Sequence, residues 1–125
     1  MTDAATKRNA RNDDNQPEII KTLTQLGITV ENIKVPADLM VAKRAVTVIV
    51  EVKNPKQKAS DRRLTDNELL FYNRWTGLFC VIETKDDCRD LNAALVDGFR
   101  ATFAYCEKNM QDHFRTCYNR RGKNK

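Results

Sequence analysis

Hydrophobic residues near the start of the chain follow a helical spacing, and further along they follow a strand spacing. The helical part recurs every three or four positions at Ile19, Ile20, Leu23 and Leu26. An Asp or Asn side chain within 13–15 is expected to cap this helix, and Gly27 to end it. Three apolar runs then predict strands at 28–35, 37–43 and 46–53, the last two close enough to form a hairpin.

The middle of the chain predicts a crossover between two parallel strands. A polar, basic segment at 54–64 begins with Asn54-Pro55, which the interior of a strand would not tolerate. Thr65 and Glu68 have the spacing of a capping box, which predicts a helix running towards Gly77. The apolar run 78–83 reads as a buried strand, so we expect it to pair in parallel with 46–53.

From Asp86 onward the apolar pattern is helical and unusually long. The stripe consists of Leu91, Leu95, Phe99, Phe103, Cys106, Met110, Phe114 and Cys117. Gly98 and the length of the pattern indicate a kink or two consecutive helices. Two interpretations stay open for the stripe: packing within the chain, or a dimer interface formed by its second half.

Composition predicts a soluble protein that folds around one core. The chain has 125 residues, of which 41% are hydrophobic and 31% charged, and no apolar run is long enough to span a bilayer. We expect one domain at 13–118, with a core at 13–84 and a helical extension at 86–118. A flexible basic arm at 1–12 and a basic tail at 119–125 flank it. The arm lacks the apolar segment of a signal peptide, so a cytoplasmic location is expected.

Charge and cysteine content add little by themselves. The net charge of +5 is compatible with a polyanionic partner and concentrates in 53–63 and 119–125. The four cysteines form no C-x-x-C pair, and we expect reduced thiols. His113 lies at helical spacing from Cys106 and Cys117, so a zinc site is conceivable, but packing is the favoured interpretation. The sequence contains no phosphate-binding glycine-rich loop, and no nucleotide cofactor is expected.

The strand "TVIVEVK" carries two charged residues where burial is expected. Alternation puts Glu51 and Lys53 on the same strand face, and an unpaired buried charge costs several kcal/mol. Asp38 opens the preceding strand, and antiparallel pairing would place it near Glu51. Two adjacent carboxylates repel, and a divalent cation would remove this repulsion. The alternative is a structural ion pair between Lys53 and one of the acids.

Mg²⁺ or Mn²⁺ would suit this group of residues. Mg²⁺ prefers hard oxygen ligands and few protein contacts, and Asp38, Glu51 and the backbone carbonyl of Val52 could supply them. Lys53 would then orient a water molecule or help to deprotonate it.

The order of these residues, "PADLMV" followed by "VIVEVK", resembles the PD-(D/E)xK nuclease superfamily. The run over 13–84 is similar to small phage and prophage nucleases of the VRR-NUC-like branch. This resemblance implies an α/β fold, in which helices flank a restriction-endonuclease-like mixed four-stranded sheet, with the long C-terminal helix outside it. It also implies that Glu18 points at the metal, although a first-turn carboxylate is favoured by the helix dipole alone.

Two positions depart from the family pattern. Pro36 is displaced by one residue from Asp38, because Ala37 stands between them. Glu68 occupies a position where relatives have a glutamine that contacts DNA or the attacking water. Either change could lower activity or alter the metal preference.

The expected function is therefore a metal-dependent DNA endonuclease, phage-related and specific for branched DNA, that acts as a homodimer for paired cuts. The expected DNA-binding residues are Lys56, Lys58, Arg62, Arg63, Glu68 and Arg74. One alternative is a catalytically impaired nuclease fold that binds nucleic acid or protein, as a phage regulator or inhibitor. A weaker one is a structural dimerisation protein.

Overall fold

A four-stranded mixed sheet lies at the centre of the computed structural model, which describes residues 14–118. The first three strands are antiparallel, and the last two are parallel. In spatial order the strands are β1 (Thr29–Asn32), β2 (Leu39–Lys43), β3 (Val46–Val52) and β4 (Leu78–Ile82). The hairpin and the parallel crossover expected from the sequence are confirmed, but β1 is shorter than the predicted 28–35. The predicted arm and tail, and Asp13, lie outside the described residues.

Helices cover both faces of the sheet, which confirms the α/β class. They are α1 (Gln16–Gln25), α2 (Asp66–Arg74), α3 (Lys85–Asp97) and α4 (Phe99–Cys117), with a short 3₁₀ helix at Ala59–Arg62. The capping box predicted at Thr65 is confirmed, because Thr65 accepts from the backbone N–H of Glu68. The structure adds a second capping box, in which Thr84 accepts from the backbone N–H of Asp87. Of the helices in the described part, none is long and apolar enough to cross a bilayer.

Alternation along β3 sorts its side chains between two hydrophobic cores. Val48 and Val50 pack with side chains of α1 and α3, such as Leu23 and Leu91, on one face. Ile49 packs on the other face with Phe71, Phe79 and Met110. Glu51 continues the Ile49 face, so its side chain lies on the side of α2 and α4.

The long helical pattern is divided at Gly98, so the interpretation as two consecutive helices is confirmed. Gly98 has a φ of 117°, a backbone conformation that side chains rarely adopt. The buried positions of α4 are Thr102, Cys106, Met110, His113 and Cys117. The expectation that Phe99 and Phe103 belong to the buried stripe is wrong. These residues are 61% and 49% exposed, and their rings stack on each other. After the break at Gly98, the buried line of α4 begins at Thr102 instead of Phe103.

Candidate active site

A pocket of about 1030 Å³ opens at the C-terminal end of β3. Its wall includes Asp38, Glu51, Lys53 and Glu68. These four side chains come from three neighbouring elements, namely the start of β2, the end of β3 and the first turn of α2. The pocket therefore gathers the charged residues that the sequence placed within apolar strands, together with an acid from the helix that follows.

The register of the β2–β3 hairpin brings the first two acids together. Leu39 pairs with Val50, so Asp38 stands opposite Glu51. The backbone N–H of Asp38 donates to Glu51 Oε1 at 3.2 Å. In return, the N–H of Val52 donates to Asp38 Oδ2 at 2.9 Å. The convergence of Asp38 and Glu51 is thus confirmed, and backbone donors fix both carboxylates.

Lys53 lies between two of the acids. Its Nζ is 3.4 Å from Glu51 Oε2 and 3.0 Å from Glu68 Oε1. Glu68 is held in place by the capping box of α2, where its Oε1 accepts from the Thr65 N–H at 2.8 Å. The structural ion pair that we considered as an alternative is therefore present. The Asp38 carboxylate instead accepts from the backbone N–H of Val52 and shares a hydrogen bond with the side chain of Glu51.

Burial changes the protonation of the cluster. Glu51 is only 3% exposed. This burial, reinforced by the charges of Asp38 and Glu68, raises the pKa of Glu51 to about 10. Burial also raises the pKa of Asp38. Glu51 therefore carries a proton near neutral pH, unless a cation takes the place of that proton.

The side chains of Lys53 and Glu68 stay ionised. Burial opposes the charge on Lys53, but the carboxylates of Glu51 and Glu68 raise its pKa. Burial likewise works against ionised Glu68, yet its hydrogen bond with Glu51 and the charge of Lys53 lower its pKa. The metal-free cluster is thus an ammonium–carboxylate pair beside a protonated carboxyl group.

The structure does not bring Glu18 to this pocket. Its side chain is 58% exposed and its Oε2 lies 2.9 Å from Lys85 Nζ. The pairing with Lys85 lowers the pKa of Glu18. Residue 18 is two positions after Gln16, which lines the pocket, and two positions correspond to about 200° around a helix. The expectation that Glu18 points at the metal therefore fails on geometry.

Gln16 is the residue of α1 that sequence reasoning missed. It is 8% exposed, lines the pocket, and its buried Oε1 has no hydrogen-bond partner. An unpaired buried acceptor costs about 1–3 kcal/mol, which a ligand or water could relieve. The available signal was its spacing, because Gln16 shares the buried face with Ile19 and Leu23.

Asn15 connects the start of α1 to the ends of the parallel strands. The expected side-chain cap is absent at Asn15. Instead, its Nδ2 donates to the carbonyls of Lys53 at 3.0 Å and Glu83 at 3.1 Å. These two carbonyls follow the last residues of β3 and β4, and the amide reaches them because α1 begins at this edge of the sheet. The contact holds the first helix beside the pocket.

The fold places some of the predicted DNA-binding residues at the pocket and others away from it. Arg63 lines the pocket, and its Nε donates to the Cys117 carbonyl at 2.7 Å. Lys56 and Lys58 are exposed on the adjoining loop. Arg62, in contrast, turns away from the pocket, because its Nη1 contacts both carboxylate oxygens of Glu83 at 3.0 Å.

Arg74 also lies away from the pocket wall. Its guanidinium group stands 5.4 Å from the centre of the Phe71 ring, at the end of α2. The first turn of α2, with Glu68, borders the pocket, so a residue in the last turn projects from the far end of the same helix. Neither Arg62 nor Arg74 is thus placed to contact a ligand in the pocket.

The zinc interpretation of His113 is not supported. Its Nδ1 is 3.8 Å from Cys117 Sγ, whereas Cys106 lies beside Cys80 in the core around α1 and α3. Burial, with the charges of Lys53 and Arg62, lowers the pKa of His113 to about 4. Within residues 14–118, no group of three or more His, Cys, Asp or Glu side chains has the arrangement of a metal site.

Comparisons with protein-family models, with characterised proteins and with solved structures found no match. The chemistry of the pocket has to be inferred from its own residues.

Proposed function

We propose that this protein is a metal-dependent DNA endonuclease of the PD-(D/E)xK type, with a restriction-endonuclease-like core. It would hydrolyse phosphodiester bonds with Mg²⁺ or Mn²⁺. The observation that carries the proposal is the buried cluster in which the carboxylates of Asp38 and Glu51 meet beside the ammonium group of Lys53. Branched DNA as the preferred substrate, and a homodimer for paired cuts, belong to the same proposal.

The energetics of the cluster favour a functional role over a structural one. A structural ion pair needs one acid for Lys53, but three carboxyl groups lie around it in the pocket wall. Burial of the additional acids costs stability, and well-packed apolar residues are often no worse than a buried ion pair. Perturbed carboxyl groups of this kind in a cleft are typical of catalytic sites.

The pocket wall also has the composition that a cation would require. Five acidic and three basic side chains line it: Asp14, Asp38, Glu51, Asp61 and Glu68 against Lys34, Lys53 and Arg63. A phosphate group would be repelled by this excess of acids unless a cation were bound. Mg²⁺ prefers hard oxygen ligands. Asp38, Glu51, the Val52 carbonyl and the unpartnered Oε1 of Gln16 would hold it.

A bound Mg²⁺ or Mn²⁺ would supply positive charge for the phosphate and lower the pKa of a water molecule. The ammonium group of Lys53 would orient the attacking water and donate hydrogen bonds to the phosphate oxygens. Glu51 would have to release its proton before its carboxylate could bind the cation. Glu68, which already shares a hydrogen bond with Glu51, pairs with Lys53 and would restrain its ammonium group from contacting the substrate.

The test is cleavage of supercoiled plasmid and of a four-way junction with Mg²⁺, with Mn²⁺ or with chelator. We expect nicking that requires the metal and that falls at least about 100-fold in Lys53→Ala, because Lys53 acts on the reacting groups. Lys21→Ala, at an exposed position of α1, is the control and should cleave normally. Nicking that persists with chelator, or that survives in Lys53→Ala, would contradict the proposal.

A second candidate is a nuclease-fold protein that binds nucleic acid or protein without cutting, as a phage regulator or inhibitor. The contact that favours it is the 3.0 Å ion pair between Lys53 and Glu68, because the nucleases that the sequence resembles have a neutral glutamine there. The displaced Pro36 gives it less support, since Asp38 still reaches Glu51. DNA binding that is indifferent to metal, without cleavage, would favour this second candidate.

A further inference from the structure

The connection between β1 and β2 contains a strained turn at the edge of the pocket. Lys34 has a φ of 70°, and the N–H of Val35 donates to the carbonyl of Ile33 at 2.7 Å. These two features define a γ-turn with a positive φ at its centre, which is the rarer and more strained form. Glycine or asparagine would adopt this conformation at lower cost.

The strained turn is fixed by Asp38. Its backbone carbonyl accepts from the N–H of Ile33 at 3.0 Å and from that of Lys34 at 3.2 Å. The carboxylate of the same residue lies in the acidic cluster. The side chain of Lys34 lines the pocket. The turn therefore fixes the backbone of a pocket-lining lysine relative to Asp38.

Lys34 and Arg63 lie on opposite sides of the cluster. Lys34 follows β1, at one edge of the sheet, whereas Arg63 is held by the end of α4, which packs against β4 at the other edge. The Arg63 guanidinium also stands 5.1 Å from the centre of the Tyr118 ring. Glu51, on β3, lies between them in the strand order. The pocket thus has one cation on each side of the candidate catalytic groups.

We propose that Lys34 binds a phosphate of the nucleic-acid backbone next to the phosphate that is cleaved, and that Arg63 binds one on the other side. This inference rests on the proposed nuclease function and makes its substrate more specific. The site would take a polynucleotide strand, held at phosphates that flank the reacting one, rather than an isolated phosphodiester. The turn strain is tolerated because it positions the Lys34 side chain.

The test compares two substrates that differ in neighbouring phosphates. One is a DNA oligonucleotide, and the other is bis(p-nitrophenyl) phosphate, a single diester. We expect Lys34→Gln to raise KM for the oligonucleotide about threefold to tenfold and to reduce the slope of log affinity against log salt by about 1. Its kcat, and its hydrolysis of the single diester, should stay within about twofold of the unchanged protein, because the reacting groups are intact.

Two control variants separate charge from strain. Arg100→Gln removes an exposed cation from the first turn of α4 and should leave KM for the oligonucleotide unchanged. Ala45 has the same φ of 70° as Lys34 but lies in the β2–β3 turn. Ala45→Gly and Lys34→Gly should both raise the melting temperature by about 2 °C or more, since both relieve strain. Only Lys34→Gly should weaken DNA binding.

The possible failures are distinguishable. If the unchanged protein cleaves neither substrate with Mg²⁺ or Mn²⁺, the proposed function is wrong, and the Lys34 inference is overturned with it. If it cleaves the oligonucleotide but Lys34→Gln has the same KM as Arg100→Gln, only the inference about Lys34 is overturned. A lower melting temperature for Lys34→Gly would show that the lysine side chain is structural, and would also overturn it.

Discussion

Replacement of Glu51 by glutamine should stabilise the metal-free protein near neutral pH while abolishing phosphodiester hydrolysis. Burial raises the pKa of Glu51 from its ordinary value of 4.5 to about 10. At any pH between these two values, the folded protein keeps a proton on Glu51 that the unfolded chain has released. The contribution of Glu51 to the free energy of unfolding must fall as the pH rises through this range, because the unfolded state binds fewer protons at this residue. Glutamine removes this penalty, since its amide is neutral at every pH.

The size of the effect follows from the same linkage. One proton changes the free energy of unfolding by about 1.4 kcal/mol for each pH unit. Between pH 4.5 and about pH 7.5 the penalty reaches about 4 kcal/mol, which is an upper limit because Asp38, Lys53 and Glu68 titrate with Glu51. We expect Glu51→Gln to gain about half of this, roughly 2 kcal/mol.

The measurement is urea denaturation with chelator at pH 5, 6.5 and 8, followed by the fluorescence of the single tryptophan, Trp75. Between pH 6.5 and 8 the unchanged protein should lose stability, whereas Glu51→Gln should give a flatter profile. Below pH 6.5 the lowered pKa of His113 acts in the opposite direction and offsets the Glu51 slope. Glu31→Gln is the matched control, because Glu31 is an exposed glutamate on β1. A Glu51→Gln protein that is less stable than the unchanged one at pH 8, or that keeps its pH slope, would refute the reasoning.

Two further substitutions test the site, and a third tests the ion pair outside it. Glu68→Gln should keep the capping box, which accepts glutamine. It should raise metal-dependent nicking at least about threefold, because it frees the Lys53 ammonium group from its ion pair. Reduced nicking would assign the acid a direct role. Gln16→Ala should weaken Mn²⁺ binding about tenfold, as measured by calorimetry, whereas Glu18→Ala should leave it unchanged. Equal effects of the two substitutions would contradict Gln16 as a metal ligand. Arg62→Ala should lower the free energy of unfolding by about 1–3 kcal/mol, because it leaves the half-buried carboxylate of Glu83 unpaired. The control Arg74→Ala, at an exposed position, should change the free energy of unfolding by under about 0.5 kcal/mol.

The centre of the site was predictable from the sequence because two simple rules determine it. Alternation along β3 fixed the face of Glu51 and Lys53, since a strand that buries both faces leaves no choice of register. The short hairpin then placed Asp38 opposite Glu51, and the pairing of Leu39 with Val50 follows that rule. Both rules depend only on spacing in the chain, and no tertiary information was needed.

The periphery of the site was less predictable because it depends on the rotation of residues around a helix and on the direction in which long side chains extend. One residue rotates a helix by about 100°, so small differences decided that Gln16 rather than Glu18 lines the pocket. Arg62 and Arg63 are adjacent, yet one pairs with Glu83 and the other turns to the pocket, which no local pattern indicates. Lys34 was missed because a positive φ is signalled by glycine or asparagine, and lysine gives no such signal.

The position of the acidic cluster within the fold bears most directly on its role. Ile49 and Val81, beside Glu51 on the same sheet face, are buried in a continuous apolar core, so an apolar residue at position 51 would extend that core. An ionised Glu51 is instead disfavoured by its burial and by two neighbouring acids, and the resulting penalty is comparable to a large fraction of the stability of a small domain. Backbone hydrogen bonds and a helix cap nevertheless fix all three acids around one lysine. Such an arrangement keeps buried carboxyl groups in place for a ligand. A bound cation would reduce the electrostatic penalty of their ionised form.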